Sequence, residues 1–399
     1  MTWRDSLKEV AKGFRAMGRW MRRVIGGAVK MYGPTRVIYN LNYNPAHPQK
    51  RVALVYLSRF HDKYVQEVAT NHPSTEQHLL MLHELLSLDY VVDIYQCMGD
   101  RPYNFPTVAS YDIILGFGGY YVQLCRLNPA ARKILFITEN APWVVREKFA
   151  QRMKYYKERH HREVYTICRD DFYTDEMFAL SDVGIAMSGS FNIKGMKSTL
   201  SLIYQIPVNA IKNLPYEVGR KDMEWARRRF VWFGSRGLIH KGLDILIDAF
   251  RDLPDCQLDI YGAPHSEISC WTLPPNVTNH GSICVQSDEY VREVVGQHAF
   301  VISLSCSEGM QSGIATCMMS GLIPLVTPET GYDDCPHALF FDDWHLESVR
   351  DRIRLCSEMQ PCRLFELETA VQKYAEEHYT ADAYQCMFNK IMIMVDGSK

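Results

Sequence analysis

The sequence predicts an α/β protein with two Rossmann-like domains that face each other across a cleft, preceded by an amphipathic helix. Short β-branched runs alternate with helical segments along most of the chain, which is typical of a parallel sheet covered on both faces. The length of 399 residues is large for a single core. Hydrophobic residues make up 47% and charged residues 23% of the chain, and this balance excludes disordered and fibrous classes.

The composition also argues against a nucleic-acid binder, a membrane-spanning protein and a disulfide-rich or zinc-binding protein. The formal net charge of −2 argues against a general nucleic-acid binder. No apolar run reaches the roughly 18 residues that a membrane-spanning helix needs. The 12 cysteines form no Cys-x-x-Cys pair, which favours a reduced, cytoplasmic protein over a disulfide framework or a zinc site.

Residues 1–33 are expected to form a basic amphipathic helix. Residues 1–32 carry eight basic and two acidic side chains, and their apolar residues recur at alternating spacings of three and four. The stripe comprises Trp3, Leu7, Val10, Phe14, Met17, Met21 and Val24. Such a helix can lie on an anionic membrane surface. The same spacing also suits packing on the protein's own body or on a partner helix, and both interpretations stay open.

The first domain is predicted over residues 51–215. Strands are expected at 51–57, 90–95, 111–115, 133–138, 182–187 and 205–208. Helices are expected at 77–88, with Ser74 or Thr75 as its N-cap, and at 143–162. The connection to the second domain is expected near 212–224.

The second domain is predicted over residues 221–380. Strands are expected at 230–233, 257–261, 276–280, 300–304 and 323–327, and helices at 243–251 and 313–320. The tail 344–397 is predicted to be largely helical, and residues 381–399 are expected to pack back on the first domain.

Two loops of the second domain carry the most informative residues. The loop after the first strand is glycine-rich and places Arg236 and Lys241 beside a helix N-terminus, a combination that suits a diphosphate. Gly234 and Ser235 begin this loop and permit close backbone approach. The loop after the fourth strand contains Glu308 and then small residues at a helix start. A lone carboxylate in an anion-seeking loop is better suited to sugar hydroxyls than to phosphate.

These motifs, in this order, resemble the donor domain of GT-B glycosyltransferases. The residues that carry the resemblance are Gly234-Ser-Arg-Gly, Lys241-Gly-Leu-Asp, Ile260-Tyr-Gly, Asn276-Val, Ser307-Glu-Gly and Ser320-Gly-Leu-Ile-Pro-Leu-Val. The match is most specific over about 230–332, and the retaining family-4 group and its bacterial surface-polysaccharide relatives are the most similar. The resemblance implies a nucleotide-diphosphate-sugar as co-substrate and no other cofactor.

The resemblance also implies roles for individual residues. Arg236 and Lys241 would contact the donor diphosphate, and Glu308 the transferred sugar. Further diphosphate contacts would come from Met310, Gln311, Ser312 and Gly313, and nucleoside contacts from Gly262, His280, Gly281 and Ile283. The family usually has a second Glu eight positions after the first, and here that position is Thr316. The chain contains no Asp-x-Asp triplet, so no metal site is expected.

The acceptor side offers two candidate catalytic residues in the first domain. Glu139 follows a predicted strand, where a carboxylate of the cleft would lie, although a helix cap or a salt bridge would explain it too. His72 precedes Pro73 in a loop and is equally compatible with solvent exposure. An inverting enzyme would need a general base near the acceptor hydroxyl, whereas a retaining one could rely on the leaving diphosphate.

The expected function is transfer of a sugar to a hydroxyl of a glycan or lipid-linked glycan at the inner face of the cytoplasmic membrane. Two alternatives remain. A nucleotide-sugar-binding scaffold with weak catalysis is suggested by Thr316 at the position of the second Glu. A sugar-nucleotide epimerase of similar fold is the other.

Overall fold

The computed structural model of the protein describes residues 29–32, 35–57, 73–96, 110–162, 164 and 172–397. Over this part of the chain the fold is the predicted one, with two sheets of largely parallel strands and helices packed on them. Most of the predicted helix 1–33 lies outside the described residues. Its last part was wrongly predicted, because Val29–Tyr32 is a strand that pairs with the next one in antiparallel register.

The first domain contains a sheet whose eight described strands run in the order β1-β2-β4-β3-β5-β6-β7-β8. The strands are β1 (Val29–Tyr32), β2 (Thr35–Leu41), β3 (Arg51–Tyr56), β4 (Val91–Gln96), β5 (Ile113–Gly116), β6 (Arg132–Ile137), β7 (Val183–Ala186) and β8 (Ile203–Gln205). The helices are α1 (Pro73–Ser87), α2 (Gly119–Leu127), α3 (Pro142–His160), α4 (Asp175–Leu180) and α5 (Ser190–Met196).

Strands β1 and β2 were not predicted, and they make this sheet mixed. Strand β2 pairs antiparallel with β4, whereas β3 to β8 are parallel. In β2, the β-branched and aromatic residues Val37, Ile38 and Tyr39 are buried, as is usual for a strand that packs on a core. Helix α1 begins four residues before the predicted start, at Pro73, so Ser74 and Thr75 lie in its first turn rather than at the cap.

The second domain contains a parallel sheet whose six described strands run in the order β11-β10-β9-β12-β13-β14. The strands are β9 (Arg229–Phe233), β10 (Gln257–Tyr261), β11 (Val277–Gly281), β12 (Phe300–Ser303), β13 (Ile323–Val326) and β14 (Leu339–Phe340). The helices are α6 (Met223–Ala226), α7 (Leu243–Arg251), α8 (His265–Ile268), α9 (Ser312–Met318), α10 (Leu346–Ser357), α11 (Pro361–His378) and α12 (Ala381–Asp396).

Helix α12 leaves the second domain and packs on the first. Its Asn389 Nδ2 donates to Glu84 Oε2 on α1 at 2.6 Å, and Asp396 pairs with Lys50 at 2.5 Å. The buried Tyr384, Phe388 and Ile391 form the apolar face of the helix. The last helix therefore connects the second domain back to the first.

Helix α3 follows β6 of the first domain and lies against the second domain. Lys148 Nζ is 3.1 Å from Glu329 Oε1, and Arg152 Nη2 donates to the Leu304 carbonyl at 2.7 Å. Near the end of the helix, Arg159 pairs with both Asp244 and Asp248 of α7. The cationic residues on one side of α3 thus hold the two domains in contact.

Candidate active site

The two informative loops lie side by side because their strands are neighbours. Strand β9 lies between β10 and β12, so the chain changes direction across the sheet between β9 and β12. In parallel sheets the crevice at such a point, outside the carboxyl ends of the strands, is the usual place for a ligand. A Cβ on Gly313 would lie 3.2 Å from the Phe233 carbonyl, which shows how closely the second loop covers the end of β9.

Lys241 and Glu308 form a buried ion pair. Their exposed fractions are 5% and 4%, and Lys241 Nζ donates to Glu308 Oε1. The same oxygen accepts from Ser305 Oγ and from Gln311 Nε2, both at 2.9 Å. A buried pair of charges persists only when further hydrogen bonds satisfy it, as these do. The residues implied for the diphosphate and for the sugar are therefore one electrostatic unit.

The glycine turn after β9 is built for close backbone approach. Gly262 has a φ of 83°, and a Cβ on it would lie 2.1 Å from the Gly234 carbonyl. A Cβ on Gly234 would lie 2.4 Å from the Trp232 ring. Ser235 and Arg236 are exposed, and Arg236 makes no hydrogen bond or ion pair with any residue that the structure describes. Its guanidinium is thus available at this edge.

Glu267 is a residue of this turn that sequence reasoning missed. Its Oε2 accepts from the backbone N–H groups of Gly237 and Leu238, both at 3.1 Å. The carboxylate comes from the short helix α8, which follows β10. Two amides of the glycine turn are therefore held by the protein itself, and Glu267 fixes the conformation of the loop that carries Arg236.

The turn after Glu308 leads into α9. Met310 is 7% exposed and its sulfur lies 3.5 Å from the Val208 nitrogen, whereas Ser312 and Gly313 are half-buried. The Thr316 hydroxyl donates to the Ser312 carbonyl at 2.8 Å and accepts from the Ile211 N–H at 3.2 Å. In this structure Thr316 therefore joins α9 to the connection between the domains.

The implied nucleoside residues lie at the ends of β10 and β11. The His280 ring stacks on Tyr261 with centroids 4.8 Å apart, and its Nε2 is 2.7 Å from Asp259 Oδ1. Although burial opposes ionisation of Asp259, hydrogen bonds with His298 and His280 hold its pKa well below the usual range. Gly281 has a φ of 72° with open space at its Cβ position. Ile283 is half-buried.

The first domain meets Glu308 through the loop after β6. A Cβ on Gly309 would lie 2.3 Å from the Thr138 carbonyl, so the peptides next to Glu139 and Glu308 touch. Asn192 Nδ2 donates to the Glu308 and Glu329 carbonyls, both at 3.0 Å, and its Oδ1 accepts from Asn140 at 3.0 Å. Glu139 is 9% exposed. The structure therefore brings the Glu139 and Glu308 loops together, while His72 lies outside the described residues.

Asn192 was not predicted as a site residue, although its position after a predicted strand could have indicated it. It lies in the first turn of α5, just after β7, and so at the same sheet edge as Glu139. A second contact comes from Asp333, whose Oδ2 accepts from the Phe191 N–H at 2.7 Å. Both contacts fasten the second domain to the start of α5.

The described residues form neither a metal-binding cluster nor a membrane-spanning helix. No group of three or more His, Cys, Asp or Glu side chains in them is arranged to hold a metal ion. None of the described helices combines the length and the apolar character that crossing a membrane requires.

The comparisons with known proteins rest on structure. No family model and no curated protein matches the sequence. Sucrose-phosphate synthase from Thermosynechococcus elongatus matches with a TM-score of 0.59 and 12% identity, covering 88% of this chain and 100% of that one. Anabaena HepE in complex with UDP and glucose matches with a TM-score of 0.53 and 10% identity, with coverage of 88% and 100%.

A chain of the GtfA/B complex also matches, with a TM-score of 0.47 and 16% identity. This protein spans 58% of the length of that chain, and the match covers 73% of this one. The architecture rests on the sucrose-phosphate synthase and HepE structures, which agree with two sheets of largely parallel strands. The protein therefore has the GT-B fold, with two sheets of largely parallel strands that it shares with these two structures.

Proposed function

We propose that this protein transfers a sugar from a nucleotide-diphosphate-sugar to a hydroxyl of a glycan or lipid-linked glycan. The observation that carries the proposal is the convergence of Lys241, Glu308 and the exposed Arg236 at the carboxyl ends of β9 and β12. This edge faces the Glu139 loop of the first domain, so donor and acceptor could approach from opposite sides. The fold, shared with HepE in complex with UDP and glucose, makes UDP-glucose the first donor to test.

In the proposed mechanism Arg236 and the amides at the start of α9 bind the diphosphate and stabilise the charge that develops on it as the glycosidic bond breaks. Glu308, held by Lys241 and Gln311, accepts hydrogen bonds from the sugar hydroxyls and orients the anomeric carbon. Arg236 provides the positive charge that a metal ion provides in other transferases, while the charge of Lys241 is balanced by Glu308. The acceptor oxygen bonds to the anomeric carbon on the face from which the diphosphate leaves, and the leaving diphosphate takes the acceptor proton. Attack on that face gives retention of configuration.

The test of this function is a thermal-shift screen with UDP-, GDP-, ADP- and dTDP-sugars. A ligand that binds the folded protein raises its midpoint of unfolding, and one of these donors is expected to do so. Product analysis by NMR after addition of an acceptor then gives the configuration of the new linkage. If none of the donors shifts the midpoint, the proposal is wrong.

Arg236→Ala is expected to weaken binding of the donor diphosphate by about 1.5–3 kcal/mol, the value of a hydrogen bond to a charged group. Because Arg236 is exposed and contacts no other described residue, the thermal midpoint without ligand should stay unchanged. Calorimetric titration with UDP measures the effect. The exposed Arg354, which pairs with Asp351 within its own helix, provides the matched control Arg354→Ala. Equal affinity in both variants would contradict the assignment.

A catalytically weak nucleotide-sugar-binding scaffold is the second candidate function. It is favoured by the Thr316 hydroxyl, which is engaged by Ser312 and Ile211 and replaces a ribose-binding carboxylate. Tight donor binding with negligible turnover, for every donor and a broad set of acceptors, would select the scaffold over the transferase.

The basic segment 1–28, which precedes β1, is proposed to hold the enzyme on the inner face of the cytoplasmic membrane. Deletion of residues 1–28 is expected to abolish co-sedimentation with vesicles of phosphatidylglycerol, since cations near anionic headgroups contribute roughly 1 kcal/mol each. Donor binding should persist, because the deletion stops before β1 and removes no described strand. Vesicles of phosphatidylcholine serve as the control. Unchanged sedimentation after deletion, with a lowered thermal midpoint, would indicate that the segment packs on the protein instead.

A further inference from the structure

A cavity lies between helices α3 and α7, apart from the loops that carry Lys241 and Glu308. Its volume is about 320 Å³, and both domains line it. Tyr156 and Arg162 come from the end of α3 and the residues that follow, Asp244 and Asp248 come from α7, and Trp271 comes from the loop after α8. The volume is at the lower end of the range for small-molecule sites.

The cavity contains buried polar atoms that lack partners. Asp244 is 3% exposed; one of its carboxylate oxygens accepts from Arg159, while Oδ1 has no hydrogen bond with any described residue. The indole Nε1 of Trp271 is likewise buried and without an acceptor in the described part of the chain. An acceptor and a donor left unpaired in this way each destabilise the folded protein until a ligand or water satisfies them. A hydroxyl group could satisfy either atom, because it both donates and accepts.

The charged side chains around the cavity disfavour a small anion or cation as its ligand. Asp244 and Asp248 both pair with Arg159, and burial raises the pKa of Asp244 despite the opposing effect of Arg159. The guanidinium groups of Arg162 and Arg251 also line the space. The two lining carboxylates and the two lining guanidinium groups balance each other in charge, so the cavity favours neither a phosphate nor a metal ion or an ammonium group. A neutral ligand with many hydroxyls matches this mixed set of donors and acceptors.

Two aromatic rings in the cavity wall also suit a neutral ligand with many hydroxyls. Trp271 and Tyr156 both line the cavity, and each offers an apolar ring together with a polar group. The Tyr156 hydroxyl accepts from Arg162 Nε at 3.1 Å, which holds the ring and the guanidinium in place. A pyranose ring has the same dual character, with apolar C–H faces and a rim of hydroxyls.

We infer that this cavity binds a neutral saccharide of one or two rings at the boundary between the two domains. This deepens the proposed function, on which it rests for the identity of the ligand as a non-reacting part of the acceptor glycan. Since residues of both domains line the cavity, a bound saccharide would favour the arrangement in which α3 contacts α7. The acceptor would then help to assemble the site at which its own terminal hydroxyl reacts.

The experiment measures binding of maltotriose, cellotriose, chitotriose and mannotriose to the full-length protein by saturation-transfer NMR and calorimetry. At least one trisaccharide is expected to bind. Trp271→Ala and Asp244→Asn should each weaken that binding at least tenfold. The exposed Trp225, which lies elsewhere on the second domain, provides the control Trp225→Ala, and this variant should bind normally. Thermal midpoints verify that each variant is folded, and Trp271→Ala alone decides the matter if Asp244→Asn does not fold.

The outcomes separate this inference from the proposed function. Failure of all four trisaccharides to bind, or binding that Trp271→Ala leaves unchanged, overturns the saccharide site. UDP binding is measured on the same samples and should be equal in all variants. Trisaccharide binding without any nucleotide binding would leave the site in place and reject the transferase, whereas the reverse result would reject the site alone.

Discussion

Replacing Glu308 by Gln is expected to lower the rate of sugar transfer by roughly 10²–10³-fold, the loss that follows removal of one preorganised electrostatic contact. The amide has the shape of the carboxylate but lacks its charge, so it no longer balances Lys241 or stabilises positive charge on the sugar. Affinity for UDP should change little, because the proposed diphosphate contacts come from Arg236 and the start of α9. The measurement is turnover at saturating donor, together with calorimetric affinity for UDP.

The matched control is Glu366→Gln, which changes an exposed carboxylate of the same domain. This variant should retain full turnover. A Glu308→Gln enzyme with normal turnover would contradict the role of Glu308. Loss of UDP affinity with unchanged turnover at saturation would instead place Glu308 at the diphosphate.

The buried pair of Lys221 and Glu368 is expected to dominate the stability of the second domain. Both side chains have no exposed surface, and Lys221 Nζ donates to Glu368 Oε1 and to the His298 carbonyl, both at 2.8 Å. Lys221→Met should lower the free energy of unfolding by about 3–5 kcal/mol, because it leaves a carboxylate buried without its partner. The double variant Lys221→Met/Glu368→Leu should recover most of this loss, since neither charge then remains.

The same pair predicts a pH dependence. Burial raises the pKa of Glu368 from 4.5 to about 7, against the opposing effect of Lys221. The folded state therefore holds the proton more tightly than the unfolded state. The stabilisation that Glu368 contributes is complete below pH 4.5 and is lost as the pH rises through 7. Urea unfolding at pH 5 and 7.5 should show this decline in the wild type and not in the double variant. If the free energy of unfolding changes equally between the two pH values in both proteins, the assignment to Glu368 is wrong.

Much of the architecture follows from local patterns. Helix α7 and strand β10 lie at the predicted residues. The hydrophobic pattern of each segment fits only one type of secondary structure. The pairing of β1 with β2, and of β2 with β4, was missed. Strand β2 joins the sheet through a distant partner, since Leu41 lies opposite Val92 and Val37 lies opposite Tyr95, and no local period encodes that partner.

In the candidate site, too, the loops could be predicted from the sequence, whereas the contacts between them could not. The glycine turn with Arg236 and the loop with Glu308 could be located from their order along the chain, because the carboxyl ends of neighbouring parallel strands meet at one edge. The sequence could not show that Lys241 bonds to Glu308, since the two lie 67 positions apart and are joined only when β9 and β12 pair.

By itself, the sequence determined the class of fold and the positions of the loops that carry charge, because these depend on hydrophobic period and on residue type. The residues with which these loops would hold a diphosphate stay a prediction. Only the tertiary structure decided which side chains satisfy one another. It placed α3 across the two domains, gave Asn192 to the Glu308 loop and left Asp244 with an unpaired oxygen beside a cavity. Such contacts depend on distances across the folded chain, to which spacing along the sequence gives no guide.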